Sequence, residues 1–421
     1  MIIKTKTKTI NKKSLIKAML RTNINSKGIS EKIHEIAETL NCLANEKKSD
    51  LFGGIGSIVL FLNYYAKYSD NDKFTENSII IISNIFDRIS KGYLYPAFAD
   101  GLAGLGWLIE HLSQNEFMQV NTNEIIGELD DFLYQFMGEE MKKGNYDYLH
   151  NASGIALYFL SRKSNSKSDQ YLTEYINLLD EHKEIENNTI KWKFKNLNKD
   201  YKRVEQYNLS LSHGMASIVS ILSKIYKMGV NKAITFQLLR GSIDYILSNQ
   251  FDIKNSTSYF PNSVSLEGDK STSSRLAWCY GDLGIGVSLW NASKAINDKE
   301  LEKKSIEILL HSSKRRDLIE NMVVDAGLCH GAAGIAHIFN RMFINTKIQE
   351  FKDAADYWFK ETLKMAKFED GFAGYKIWRT EEQGGWTNDF SFLEGIAGIG
   401  LALISAVSDI EPAWDECLLL S

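Results

Sequence analysis

Proline is nearly missing from this chain. Its 421 residues hold three, Pro96, Pro261 and Pro412, where average usage of roughly 5 % would give about twenty. Proline breaks helices, so a long chain almost free of it reads as mostly helical. No stretch approaches the roughly 18–20 apolar residues that cross a bilayer as a helix, which leaves no transmembrane segment to expect. Neither sign of charge dominates: 49 Lys and Arg stand against 53 Asp and Glu, a net charge of −4. That excludes a nucleic-acid binder relying on bulk positive charge, and equally an acidic disordered chain. Four cysteines (Cys42, Cys279, Cys329, Cys417) are too few for a disulfide framework and suit a reducing compartment, so a cytoplasmic protein is expected. The first thirty residues carry Lys4, Lys6, Lys8, Lys12, Lys13, Lys17, Arg21 and Lys27 and no acid. They lack the 7–15-residue apolar core of a signal peptide. Residues 1–30 read as a solvated basic arm; a peptide or membrane-surface contact is the sharper alternative.

Glycine, with 29 copies, is at full strength, and its placement is ordered. Seven segments share a small-x-x-small-apolar core: Leu51-Phe-Gly-Gly-Ile-Gly, Ala99-Asp-Gly-Leu-Ala-Gly, Leu149-His-Asn-Ala-Ser-Gly, Ser212-His-Gly-Met-Ala-Ser, Cys279-Tyr-Gly-Asp-Leu-Gly, Cys329-His-Gly-Ala-Ala-Gly and Leu393-Glu-Gly-Ile-Ala-Gly. The first small positions are Gly53, Gly101, Asn151, Gly214, Gly281, Gly331 and Gly395, spaced 48 to 67 residues apart. Such a unit holds two helices and their turns. An apolar stretch of helical length follows each motif, as in Ile55–Tyr64 and Ile396–Ile404, while amphipathic segments such as Asn123–Glu139 lie between. The apolar helices read as buried on all sides and the amphipathic ones as an outer layer with one wet face. The expected fold is all-α: a seven-fold, double-layered (α/α)7 barrel or toroid forming one domain over 1–421, with repeats over about 45–405. An open helical solenoid is the plainer alternative.

Three units are longer than the rest, and the excess is β-like. Ile190, Trp192 and Phe194 alternate with Lys191, Lys193 and Lys195, the pattern of a half-buried strand. Tyr259–Leu266 and Tyr375–Trp378 occupy the other long gaps. Small β insertions over one mouth of the barrel are expected near 185–205, 255–270 and 370–385. Gly101-Leu-Ala-Gly-Leu-Gly has the spacing of a dinucleotide fingerprint reversed and no clear strand before it, so packing explains the glycines better.

The residue before each first small position is informative. It is Phe52, Asp100, His150, His213, Tyr280, His330 and Glu394, six of seven polar or ionisable, where inner helices begin and unpaired N–H groups point into the mouth. One position earlier, two adjacent repeats carry Cys279 and Cys329. Two thiols and the His330 imidazole from neighbouring loops fit a zinc set with one position open, the catalytic rather than the structural pattern. Cys42 and Cys417 have no such partners and read as inert.

Taken together, Trp278-Cys279-Tyr280-Gly281, Cys329-His330-Gly331, Ser212-His213-Gly214 and Phe392-Leu393-Glu394-Gly395 resemble the lanthionine synthetase C-like (LanC) cyclases, over about residues 45–405. The resemblance implies a toroid of seven inner and seven outer helices and one Zn2+ per chain, held by Cys279, Cys329 and His330. It places the family's active-site histidine on His213, its arginine on Arg275, its tyrosine on Tyr280 and its aspartate on Asp147. It implies a zinc-dependent enzyme that closes lanthionine and methyllanthionine rings by adding a peptide cysteine to dehydroalanine or dehydrobutyrine in a lantibiotic precursor. With no length left over for a fused dehydratase, the chain looks like the stand-alone, class I type. A dehydrated precursor with its leader is then the substrate, and a dehydratase and an exporter the partners, in the cytoplasm or peripheral to the inner face of the membrane through that complex. His213 is expected to move a proton, Arg275 to steady the enolate or orient a carboxylate, Asp147 to fix the imidazole, and Tyr280 to wall the pocket. The sequence departs from the family at Asn151, His150 and Ser217, and at Asp282-Leu283 where many members have a proline. Two alternatives are an enzyme adding glutathione or another thiol to dehydrated residues, and a non-catalytic peptide-binding toroid.

Overall fold

A computed structural model describes residues 26–43, 49–92, 95–197 and 203–421. Most of the basic arm lies outside the described residues, but its last five open helix α1 (Ser26–Cys42). Inner helices alternate with outer ones along the rest of the chain. The inner set is α2 (Ile55–Ser69), α4 (Leu102–Gln114), α6 (Ala152–Ser161), α8 (Met215–Met228), α10 (Asp282–Ile296), α12 (Ala332–Thr346) and α14 (Ile396–Val407). The outer set, in order, is α3 (Lys73–Ser90), α5 (Thr122–Lys142), α7 (Ser168–Glu181), α9 (Lys232–Ser248), α11 (Lys299–Ser312) and α13 (Gln349–Lys364). Each inner helix packs on the next, and α14 packs back on α2, closing the ring. The seventh outer position belongs to α1, which covers α14 from the opposite end of the chain. It does so with Ile29, Ile33, Ile36, Ala37 and Leu40, all buried at helical spacing. The seven-fold toroid is therefore the fold, and the open solenoid is excluded by the α14–α2 and α14–α1 contacts.

The glycine motifs have a steric cause. Every inner helix is entered by a loop whose backbone folds under the helix's first turn. A Cβ added at Gly104 would lie 1.9 Å from the carbonyl oxygen of Phe98, at Gly154 2.2 Å from that of Tyr148, and at Gly284 2.4 Å from that of Trp278. Gly334 and Gly398 repeat the clash at 1.9 Å with Leu328 and Phe392. The carbonyl six residues back thus occupies the Cβ position in each of these repeats. Ser217 interrupts the series, its hydroxyl donating to the Gly214 carbonyl oxygen at 2.7 Å. The inner helices carry no side-chain N-cap hydrogen bond. Instead, the N–H groups of Leu102, Ala152, Ala332 and Ile396 donate to the carbonyls of Tyr95, Asn145, Asp325 and Asp389, each seven residues earlier.

The β elements are short. Strands β1 (Glu184–Glu186) and β2 (Thr189–Lys191) form a hairpin; β3 (Phe194–Leu197), β4 (Arg203–Asn208) and β5 (Ser263–Val264) form a three-stranded antiparallel sheet. The final pair is β6 (Ile377–Trp378) with β7 (Trp386–Thr387). The alternation Ile190, Trp192, Phe194 is buried throughout, yet it is not one strand. The ladder breaks at Trp192–Lys193, where the chain leaves one sheet for another and the Trp192 indole donates to the Leu179 carbonyl of α7. The first hairpin packs on the outer layer, Ile190 filling the space over Gly241 of α9. The β6–β7 pair reaches the mouth, with the Trp378 N–H donating to Asp325 Oδ2 at 3.1 Å.

At the far end of the toroid the segment after α14 turns back into the bore as a 3-10 helix, Ala413–Leu418. Trp414 and Cys417 are buried there. Tyr148 donates its hydroxyl to the Cys417 carbonyl at 2.6 Å, and Trp278 its indole N–H to that of Leu418 at 2.8 Å. His337 of α12 and Asp415, both without solvent exposure, pair at 2.9 Å.

Candidate active site

The loops entering the inner helices are stitched to one another around the mouth. Leu211 and Ser212 donate to the Cys279 carbonyl, Trp278 and Cys279 to that of Cys329, and Leu328 and Cys329 to that of Leu393. On the other side Phe392 donates to Phe52, Phe52 to Ala99, and Ala99 to Leu149. Among the described residues no backbone bond of this kind joins the third loop to the fourth. A side-chain pair bridges that gap: His213 Nδ1 lies 2.6 Å from Asp147 Oδ2.

Stitching Cys279 to Cys329 brings the first cluster together. The sulfurs of Cys279 and Cys329 and a ring nitrogen of His330 lie within 4.8 Å of one another. Cys279 is buried, and Cys329 and His330 are half-buried. The Cys329 thiol beside it holds the Cys279 sulfur well below the usual thiol range, against burial and with help from His330 and Arg275. The same contact, reinforced by burial, pushes Cys329 well up. Burial alone would lower His330, but the bond to Cys279 carries it above an ordinary histidine. Two soft sulfurs and an imidazole at this separation can hold zinc and leave a fourth position open.

Asp147 anchors the second cluster. Its Oδ1 accepts the His150 N–H at 2.8 Å while Oδ2 takes His213. Burial opposes ionisation, yet the His213 charge and hydrogen bond keep the carboxyl below its ordinary range. An ionised carboxylate only accepts, so His213 Nδ1 is the donor and Nε2 the free nitrogen. Tyr280 stands against His213 with ring centroids 6.1 Å apart. Burial pushes its phenol up, which suits a wall better than an acid.

Arg275 lies beside the sulfurs, on the loop that enters α10. Its Nη2 donates to the Met322 carbonyl at 2.8 Å, where Met322 is held at a φ of 54°, a strained value for that residue. Its Nε is buried without a partner among the described residues. The guanidinium thus ties down the loop before α12 and lends positive charge to the two sulfurs.

Sequence reasoning left several supports unseen. Arg379, beside β6, reaches Glu394 at 3.2 Å and Asp389 at 3.3 Å, and burial raises the Glu394 carboxyl. Asp325 accepts from the Gly327 and Trp378 N–H groups, both at 3.1 Å. Asp282 is fully buried and accepts from the N–H groups of Tyr259 and Phe260 at 2.9 and 3.0 Å, pinning the second insertion to the start of α10. Its departure from the family's proline was the available signal.

The lanthionine synthetase C-like protein family matches residues 45–419. The chain belongs to that family. A LanC-like relative, nisin biosynthesis protein NisC of Lactococcus lactis subsp. lactis, is 24 % identical over 433 residues, covering 95 % of this chain and 97 % of its own. The solved structure of nisin cyclase superposes with a TM-score of 0.75 at 20 % identity, over 94 % of this chain and 98 % of that one. This LanC-like chain thus shares the nisin cyclase fold nearly end to end. Among its described residues no helix is long and apolar enough to cross a membrane.

Proposed function

We propose that this chain is a zinc-dependent thioether-forming cyclase. It adds a peptide cysteine to dehydroalanine or dehydrobutyrine in a lantibiotic-type precursor, giving lanthionine or methyllanthionine. The observation that carries this reading is the convergence of Cys279, Cys329 and His330 within 4.8 Å, beside the loop that bears the His213–Asp147 pair. The names of the relatives agree with it.

Cys279, Cys329 and His330 would hold one Zn2+, which, when bound, favours the thiolate of an incoming cysteine at neutral pH. The remaining chemistry belongs to the chain's own side chains. Sulfur attack on the β-carbon places a negative charge on the substrate carbonyl oxygen and leaves the α-carbon to be protonated. His213, fixed by Asp147, presents Nε2 to deliver that proton, the usual work of a positioned imidazole. The proton lost from the thiol balances the one gained by carbon, so ring closure changes neither mass nor net charge. Arg275 holds the Met322 loop beside the sulfurs, and Tyr280 walls His213. Dehydrated residues must be supplied by a reaction that removes water from Ser and Thr. A separate dehydratase therefore acts first, and it and an exporter form the surrounding complex at the inner face of the membrane.

The test measures zinc content and free thiols, by alkylation over time, in a dehydrated cysteine-containing peptide. Wild type is expected to carry close to one zinc and to consume thiols without mass change. Cys279→Ala and Cys329→Ala should lose both properties while staying folded, because the helical core is closed without metal. Stoichiometric zinc in both variants would refute the metal assignment.

A further inference from the structure

His150 is the residue the reading above does not use. It occupies the slot equivalent to His213 in the neighbouring loop, and the two rings are stacked, with centroids 5.8 Å apart and planes 19° from parallel. One carboxylate organises both: Asp147 takes the His213 ring nitrogen and the His150 backbone N–H. A second carboxylate stands at the His150 ring, with Asp100 Oδ1 3.4 Å from His150 Nδ1. The Nε2 of each ring has no partner among the described residues. Two imidazoles therefore stand side by side at the mouth, each backed by its own aspartate through Nδ1. Their exposures differ, the side chains being 24 % exposed at His213 and 48 % at His150.

The reaction needs two groups, at atoms two bonds apart. The α-carbon needs a proton, and the carbonyl oxygen bonded through the next carbon needs a positive donor as the enolate forms. Arg275 was the sequence's candidate for that donor; its Nη2 donates to the Met322 carbonyl, whereas His150 stands directly against the His213 ring. We infer that His150, backed by Asp100, donates a charged hydrogen bond to the substrate carbonyl oxygen that becomes the enolate, while His213 protonates the α-carbon. The inference rests on the cyclase reading and names a further residue in that same site. In the step, the sulfur–carbon bond forms as the carbon–carbon π pair moves onto oxygen. That pair then returns to the α-carbon to take the His213 proton, and His150 keeps its own proton throughout. The titratable groups against His150 are Asp100 from the second loop, Asp147 from its own and His213 from the fourth. The Asp100 bond, opposed by burial and aided by Asp147, holds His150 above an ordinary histidine, in the direction a charged donor requires.

The experiment compares wild type, His150→Gln, His150→Arg and Asp100→Asn on one dehydrated cysteine-containing peptide, with kcat, KM and zinc measured separately. His150→Gln is expected to keep zinc and KM while kcat falls about 10²–10³-fold, the usual loss for one oxyanion donor. His150→Arg, worse in shape but cationic, should recover to within about tenfold of wild type. Asp100→Asn should move the alkaline limb of kcat/KM to lower pH, because His150 then gives up its proton earlier. Glutamine at the wild-type kcat, or arginine no better than glutamine with zinc bound in both, overturns the assignment. Wild type making rings while His150→Gln keeps pace refutes only the role of His150. Wild type making no thioether refutes the cyclase reading and this inference with it.

Discussion

His213 and Asp147, 66 residues apart in sequence, meet at 2.6 Å at the junction between the third and fourth loops, where no backbone bond joins the described residues. The pair therefore serves the fold and the chemistry together, and the two can be separated by substitution. His213→Asn should keep zinc, since the histidine belongs to a different loop from the sulfurs, and should slow thioether formation by about 10²–10⁴-fold. Asp147→Asn should cost less, about 10–100-fold in kcat, the worth of one hydrogen bond to a charged group. Zinc loss in His213→Asn would make that residue a ligand, and the coordination sphere would have to be redrawn.

Asp282 should give the protein a measurable pH dependence. Burial lifts its carboxyl to about 6 from the model-peptide value of 3.8. A raised carboxyl stabilises the fold below its unfolded value, and that contribution is lost as pH rises through about 6. Asparagine does not titrate. Between pH 4 and 7 the stability difference between wild type and Asp282→Asn should therefore shift toward the asparagine variant by up to about 3 kcal/mol. Urea unfolding at several pH values measures it; a difference that is flat with pH would show that Asp282 stays ionised.

Glycines in this chain divide into two kinds, and alanine should tell them apart. Gly334→Ala drives a methyl group to 1.9 Å from the Leu328 carbonyl oxygen. It should destabilise by about 3 kcal/mol or more, as overpacking against backbone does. A Cβ at Gly127 in α5 meets nothing within 4 Å, so Gly127→Ala should stabilise by about 0.5–1 kcal/mol through helix propensity. Thermal midpoints moving the same way in both variants would contradict the packing described.

Trp278 links the two-cysteine cluster to the 3-10 helix in the bore. Its indole N–H bonds the Leu418 carbonyl, and the next residue is Cys279. Trp278→Phe should remove that bond at a cost of about 1 kcal/mol and speed zinc loss to a chelator, with stoichiometry unchanged when zinc is plentiful. An unaltered rate of loss would show that the Cys329 and Cys279 stitches alone fix the sulfurs.

Much of this was legible because the repeat is written in glycine, and glycine is where backbone must approach backbone. The seven inner helices, and the pairing of Cys279 with Cys329–His330, follow from matching offsets. What escaped was whatever depends on partners distant in sequence. Helix α1 carries Ile29, Ile33, Ile36, Ala37 and Leu40 at helical spacing, a readable signal hidden by the basic stretch before it. Its assignment to the seventh outer position required knowing that the ring closes. The Trp192–Lys193 break left the alternation intact, because burial direction and strand pairing are separate constraints. Arg275 was placed by the family resemblance, and no pattern in the sequence announces Met322 as its acceptor.

The cover of α14 by α1 also governs how the protein is made. In a linear array of helix pairs each unit rests only on its neighbours, and stability spreads outward from any point. Here the earliest described helix must wait for the last inner helix before it can bury its isoleucines, so the ring has no terminal unit and cannot fray from an end. Folding then commits late, on contacts of the greatest sequence separation, which are slow to form. A chain emerging from the ribosome would carry α1 without its α14 partner until α14 is complete, leaving apolar surface exposed in the interval. Once shut, the circle can open only by giving up a whole helical face, so unfolding should be all-or-none across all seven repeats.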